Sequence, residues 1–203
     1  MIVCVILSRE RALTLSTVLA LAIQPLDGQG SADALFTRGR TWDQFLGSAK
    51  AQRTQWLHAA ADADVEPDVL VRVDRVSRNL RLLVVAEDWC PDSVNAVPYI
   101  AKLASRLSIP LRIVDRETGI SLMRRHRTPD GRVATPTVVV LRGALDVGAW
   151  VERPAVMQAW FLSMATSPDS ARRFSARQAW YDADHGHTVL AELTALVERS
   201  TEQ

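Results

Sequence analysis

Chemistry in this chain centres on a single cysteine, Cys90, in the stretch Trp89-Cys90-Pro91-Asp92-Ser93. Upstream, Leu80 to Ala86 is an apolar run interrupted only by Arg81, with the Leu and Val content of a buried strand. Downstream, Val94, Val97, Ile100, Ala101, Ala104 and Leu107 recur at helical spacing. A cysteine at such a strand-to-helix junction faces free backbone N–H groups and the positive end of the helix dipole. Those conditions favour the thiolate, which is the nucleophilic form. Pro91 suits the first helical position, where a missing N–H costs nothing. Trp89 is placed to shield one side of the sulfur. Asp92, in the first helical turn, suits the dipole, but its charge opposes a thiolate beside it. The competing reading is a buried, inert cysteine. A second element is Thr135-Pro136-Thr137, leading into the Val-rich run Thr137 to Leu141. A proline opening a strand is compatible with an ordinary trans bond.

Other chemistries find less support. The 203 residues include two cysteines, Cys4 and Cys90, too few for a disulfide framework or a cysteine zinc site. The formal charge of +1 supplies no basic stripe for nucleic acid. Neither a glycine-rich phosphate loop nor a nucleophile elbow is present. Among the histidines, His58 and His126 stand apart. Asp182-Ala183-Asp184-His185-Gly186-His187 could suggest a metal cluster, but it has no matching ligand set nearby and reads better as a polar helix break. No metal site is therefore assigned. Trp42, Trp56, Trp150, Trp160 and Trp180 lie along apolar faces and read as core or helix-docking residues.

The elements that must position Cys90 follow from the hydrophobic pattern. Hydrophobic residues make up 48% of the chain and charged residues 23%, a composition that builds a packed core rather than a disordered chain. Thr41 to Ala63 reads as one helix capped by Thr41, and Asp68 to Val76 as a short helix after Pro67. After the Cys90 helix, with Pro98 inside it, come a strand over Pro110–Asp115 and a short helix over Ile120–His126. Two strands follow, Thr137–Leu141 and Asp146–Val151, joined by a turn near Gly143. Helices over Pro154–Met164 and Ser170–Glu198, the latter broken near Gly186, complete the chain. Residues 1–34 read as a signal peptide: Arg9 and Arg11, the apolar run Ala12–Ile23, and a small-residue site at Ala32-Asp33-Ala34. The remaining divisions are a helical extension over 35–79, an α/β core over 80–166 and a C-terminal helical extension over 167–203. If the leader is removed, the mature chain has no stable membrane span and is periplasmic or secreted; if it is not a leader, the protein is cytoplasmic.

The segment from Leu82 to Pro154 resembles the thioredoxin superfamily. More closely it resembles a bacterial thioredoxin-like family with a W-C-x-D-[SA] motif followed by V-N-x-V-P, here Trp89-Cys90-Pro91-Asp92-Ser93-Val94-Asn95-Ala96-Val97-Pro98. Further matches are Leu111-Arg112-Ile113-Val114-Asp115-Arg116, Thr135-Pro136, Trp150 and Arg153-Pro154, the last a helix start whose arginine is available to a nearby acid. The resemblance implies an α/β fold, a mixed central sheet flanked by helices, with Pro136 cis and lying against the reactive sulfur. It also implies that Thr135, Pro136 and Pro91 contact a substrate chain. Two departures matter. Ser93 stands where dithiol thioredoxins carry the resolving cysteine, and Val84 stands where they carry a buried acid, leaving Asp92, Glu87 and Asp88 as the nearby acids.

The leading functional expectation is monothiol disulfide exchange through Cys90, with Trp89, Asp92, Ser93 and Pro136 around it. No cofactor is expected beyond glutathione or another small thiol as co-substrate, and the expected partner is a disulfide-containing protein or a small thiol. A non-catalytic binding module and a cysteine peroxide sensor remain open alternatives.

Overall fold

A computed structural model of the chain describes residues 32–143, 145–164 and 169–201. Its centre is a four-stranded sheet of β1 (Leu80–Val85), β2 (Leu111–Val114), β3 (Thr137–Arg142) and β4 (Leu145–Val151), in the order β2-β1-β3-β4. β1 pairs parallel with β2, Leu82 opposite Leu111, and antiparallel with β3, Val84 opposite Val138. β3 and β4 form an antiparallel hairpin. The parallel pair requires a crossover, which the helix α5 (Pro91–Arg106) supplies.

β1 reads as a continuous apolar run because both of its faces are covered. Leu82 and Val84 join one core cluster with Trp56, Val97, Ile100 and Leu193. Leu83 and Val85 join the other, with Leu35, Phe36, Leu122 and Met123. The first face is covered by α2 (Trp42–Ser48), α3 (Arg53–Asp62), α4 (Pro67–Asp74), α5 and α9 (His187–Arg199). The second is covered by α1 (Ala32–Arg38) and α6 (Ile120–Arg125). α7 (Ala155–Ser163) and α8 (Ser170–Asp184) follow β4. This is the α/β arrangement expected from the sequence, with β1 inside the sheet rather than at its edge.

One detail differs from the sequence reading. The helix expected over Thr41–Ala63 is two helices. Thr41 caps α2 through a capping box, its hydroxyl accepting from the Gln44 N–H while the Gln44 side chain accepts from the Thr41 N–H. The chain then breaks between Ala49 and Gln52, where Gln52 is left-handed at φ 49°. The break frees the Lys50 and Ala51 N–H groups to donate to Asp88 Oδ2 at 2.8 and 3.0 Å, bonds that a continuous helix would forbid. The described residues begin at the end of the expected leader. The Ala32-Asp33-Ala34 site falls within α1, where Ala32, Leu35 and Phe36 are buried and Arg81 bonds Asp33 at 2.8 Å. The rest of the expected leader, with Cys4, lies outside the described residues. Among those residues no helix is long and apolar enough to cross a membrane.

At the other end, the expected break between α8 and α9 is made by His185 and Gly186, both left-handed. Gly186 faces the Tyr99 ring so closely that a Cβ would lie 2.3 Å from it, which is why glycine stands there. Among the described residues, no group of three His, Cys, Asp or Glu side chains is arranged to hold a metal.

Candidate active site

β1 delivers the chain into a tied-down loop. Ala86 N–H donates to Val114 O at 3.0 Å, extending the sheet by one bond. Glu87 accepts from the Arg116 N–H at 2.7 Å, Asp88 from Lys50 and Ala51. The Asp88 carbonyl accepts from the Trp56 indole at 2.8 Å, and the Trp89 carbonyl from the Gln52 side chain. Glu87 and Asp88, two of the acids near Cys90 in sequence, thus hold backbone N–H groups. Trp56 is fully buried and packs edge-on against Phe45, with ring centroids 5.0 Å apart.

Cys90 is the N-cap of α5, and its side chain caps none of the helix N–H groups. The thiol is nearly enclosed, 6% exposed, and donates to the Thr135 carbonyl at 3.2 Å. The Thr135–Pro136 peptide bond is cis. The two elements singled out in the sequence, Cys90 and Thr135-Pro136, are thereby brought together at one end of the sheet, where β1 ends and β3 begins. Trp89 stands at the rim, 54% exposed. Ser93, one helical turn into α5, is fully buried, and its hydroxyl has no hydrogen-bond partner. Pro91 occupies the first helical position.

Asp92 points into a buried set of charges. Arg153, which follows β4, places Nη2 3.0 Å from Asp92 Oδ2 and Nε 3.3 Å from Oδ1, and Arg177 of α8 places Nη1 3.5 Å from Oδ2. All three residues are buried. Burial pushes the Asp92 carboxyl up from the usual carboxylate range, against the pull of Arg153 and then Arg177. Arg153 also bonds Gln158 at 2.9 Å, pairs with Glu152 at 2.9 Å and lies 4.0 Å from the Phe161 ring centre. Glu152 is held in turn by Arg132 at 2.9 Å, and Arg132 by Asp130. Burial, followed by the Asp92 charge, pushes the nearby Tyr181 phenol well above its ordinary range.

Glu152 is left-handed at φ 67°, a strained setting for a residue with a side chain. In that conformation its N–H donates to the Pro136 carbonyl at 2.7 Å while its carboxylate reaches Arg132 and Arg153. Sequence reading named Asp92 and the availability of Arg153 to an acid. It missed Glu152, Arg177 and Tyr181. Arg177 and Tyr181 lie on α8, far along the chain from Cys90, with no local signal connecting them to it; the only cue to Glu152 was its place beside Arg153.

The sequence from residue 39 to residue 172 matches the model of a family described as Thioredoxin. The chain belongs to this thioredoxin family. No curated protein matches the chain. A crystal structure of a protein of unknown function from Pseudomonas aeruginosa superimposes with a TM-score of 0.67 at 22% identity, covering 84% of this chain and 99% of that one. An HIV epitope scaffold superimposes with a TM-score of 0.64 at 22% identity, covering 83% of this chain and 98% of that one. These likenesses concern the fold.

The loop before β3 carries a pH-dependent tie. Hydrogen bonding from Arg132 holds the Asp130 carboxyl down at about 2. A depressed carboxyl contributes stability in full above its unfolded value of about 3.9, and that contribution is lost as pH falls toward the folded value. The thermal midpoint should therefore fall between pH 4 and pH 2, and Asp130→Asn should flatten that fall. Calorimetry of the two proteins across that range checks it; identical slopes would remove Asp130 from the acid transition.

Proposed function

We propose that this thioredoxin-family protein carries out monothiol disulfide exchange through Cys90. The observation that carries the reading is the contact of the Cys90 sulfur with the Thr135 carbonyl, beside Pro136, at the start of α5, where no side chain caps the helix. A thiolate there attacks one sulfur of a substrate disulfide. A new S–S bond forms to Cys90, the substrate S–S bond breaks, and the departing thiolate takes a proton from water. Ser93 has no sulfur with which to displace the bound substrate. A small external thiol, of the glutathione class, does so instead: its thiolate attacks the substrate sulfur of the mixed disulfide, a new S–S bond joins the small thiol to the substrate, the bond to Cys90 breaks, and Cys90 leaves as the thiolate. The substrate segment lies along Thr135 and Pro136, with Pro91 and Trp89 beside it.

A non-catalytic binding module is favoured by one observation, the near-enclosure of a thiol already bonded to a carbonyl. Disulfide trapping separates the two. Incubated with a disulfide-bonded protein substrate, the parent should accumulate a covalent adduct at Cys90 that added glutathione releases. Cys90→Ser should form none. Equal adduct yields from parent and Cys90→Ser would retire the redox reading in favour of the binding module.

A further inference from the structure

The first turn of α5 poses an electrostatic conflict. Asp92 is two residues from Cys90, and a carboxylate there disfavours a thiolate at the same helix start. Asp92 is also buried, so solvent does not screen it. The structure meets this with two buried guanidiniums on the carboxylate, Arg153 from the end of β4 and Arg177 from α8. Arg153 is simultaneously paired with Glu152, whose backbone N–H holds the Pro136 carbonyl. One chain of contacts therefore runs from the helix start bearing Cys90 to the segment bearing Pro136.

Resting on the redox reading of Cys90, we infer that Arg153 and Arg177 are positioning residues that neutralise Asp92, so that the start of α5 can hold a thiolate, while Arg153 and Glu152 clamp Pro136 beside it. Among the described residues, the charged and titratable groups around this end of the sheet include Asp92 on α5, Glu87 and Asp88 in the preceding loop with Arg40 near them, Asp130 and Arg132 before β3, Glu152 and Arg153 after β4, and Arg173, Arg177 and Tyr181 on α8, Arg173 lying over the Phe161 ring that Arg153 also meets. Glu87 and Asp88 face backbone N–H groups of Arg116, Lys50 and Ala51. Glu152 is matched by Arg132 and Arg153, and Asp130 by Arg132. Asp92 depends on Arg153 and Arg177.

The test is the rate of Cys90 alkylation by iodoacetamide in the full chain, followed across pH by peptide mapping. Arg153→Gln leaves Asp92 partly unmasked, and should slow alkylation at neutral pH by roughly tenfold, the equivalent of moving the pH profile up by about one unit. Arg177→Gln should move it in the same direction. The deciding variant is the double Asp92→Asn/Arg153→Gln, which removes the carboxylate with its partner and should bring the rate back toward the parent. A purely structural role predicts no such rescue, since the double variant lacks the same tie. If Arg153→Gln does not fold, Arg177→Gln against Asp92→Asn/Arg177→Gln provides the same comparison. Unchanged rates in the single variants, or a double variant as slow as its single parent, would overturn the inference. Alkylation reads the state of the thiol and not turnover, so a Cys90 that reacts as stated but exchanges no disulfide would count against the redox reading alone.

Discussion

Ser93→Cys is expected to raise disulfide reductase activity by roughly tenfold or more, because resolution of the mixed disulfide then becomes intramolecular. Position 93 lies three residues beyond Cys90 in the first turn of α5, where helical neighbours have Cβ atoms about 5–6 Å apart. A modest adjustment brings two sulfurs at those positions within bonding range. The substitution should also be tolerated. The Ser93 hydroxyl is buried without a partner, and a thiol is better suited to such a setting than a hydroxyl. An insulin reduction assay with and without glutathione reads the effect. The parent's rate should rise with the concentration of small thiol, which must resolve its mixed disulfide, whereas the variant resolves that intermediate internally and should depend on it far less. No gain in the variant would mean that the two side chains do not meet, whatever the reactivity of Cys90.

The second large effect is expected at Trp56. Its side chain is fully buried, packs against Phe45 and Trp42, and donates its indole N–H to the Asp88 carbonyl directly before the Cys90 motif. Trp56→Ala should cost about 3–5 kcal/mol, the range for deleting a large aromatic side chain from a core. Part of that cost is local, since the variant leaves the Asp88 carbonyl without its donor and loosens the loop that presents Trp89 and Cys90. Urea unfolding measures the global loss. Hydrogen exchange at residues 86–90, rising above that of β2 under native conditions, measures the local one. A loss below about 1 kcal/mol would show that α3 docks on the sheet independently of this side chain.

These residues also show where the sequence was legible and where it was not. β1 and α5 were readable because one face pattern dominates each: both faces of β1 are covered, and α5 turns its apolar stripe to the sheet. Cys90 and Thr135-Pro136 were each readable from local order, at a strand end and a strand start, while their meeting was implied by the thioredoxin resemblance. The break between α2 and α3 was not readable, because the bonds that satisfy its freed N–H groups, from Lys50 and Ala51 to Asp88, are made only once the chain has folded back on itself. The arginines on Asp92 were only half visible. Arg153 stood beside a proline and an acid, but Arg177 reaches Asp92 from α8, and long-range charge pairing leaves no periodic trace. Glu152 was hidden for another reason, since its role depends on a left-handed backbone that its residue type does not advertise.

Peptide mapping of the full-length protein after exposure to glutathione disulfide tests Cys90 as the reacting group most directly. The expected result is a glutathione mixed disulfide on the peptide containing Cys90, formed faster as pH rises, removed by reduced glutathione, and absent from Cys90→Ser. A Cys90 peptide that stays unmodified in folded protein, and reacts only after denaturation, would contradict it and leave this thiol a buried structural residue.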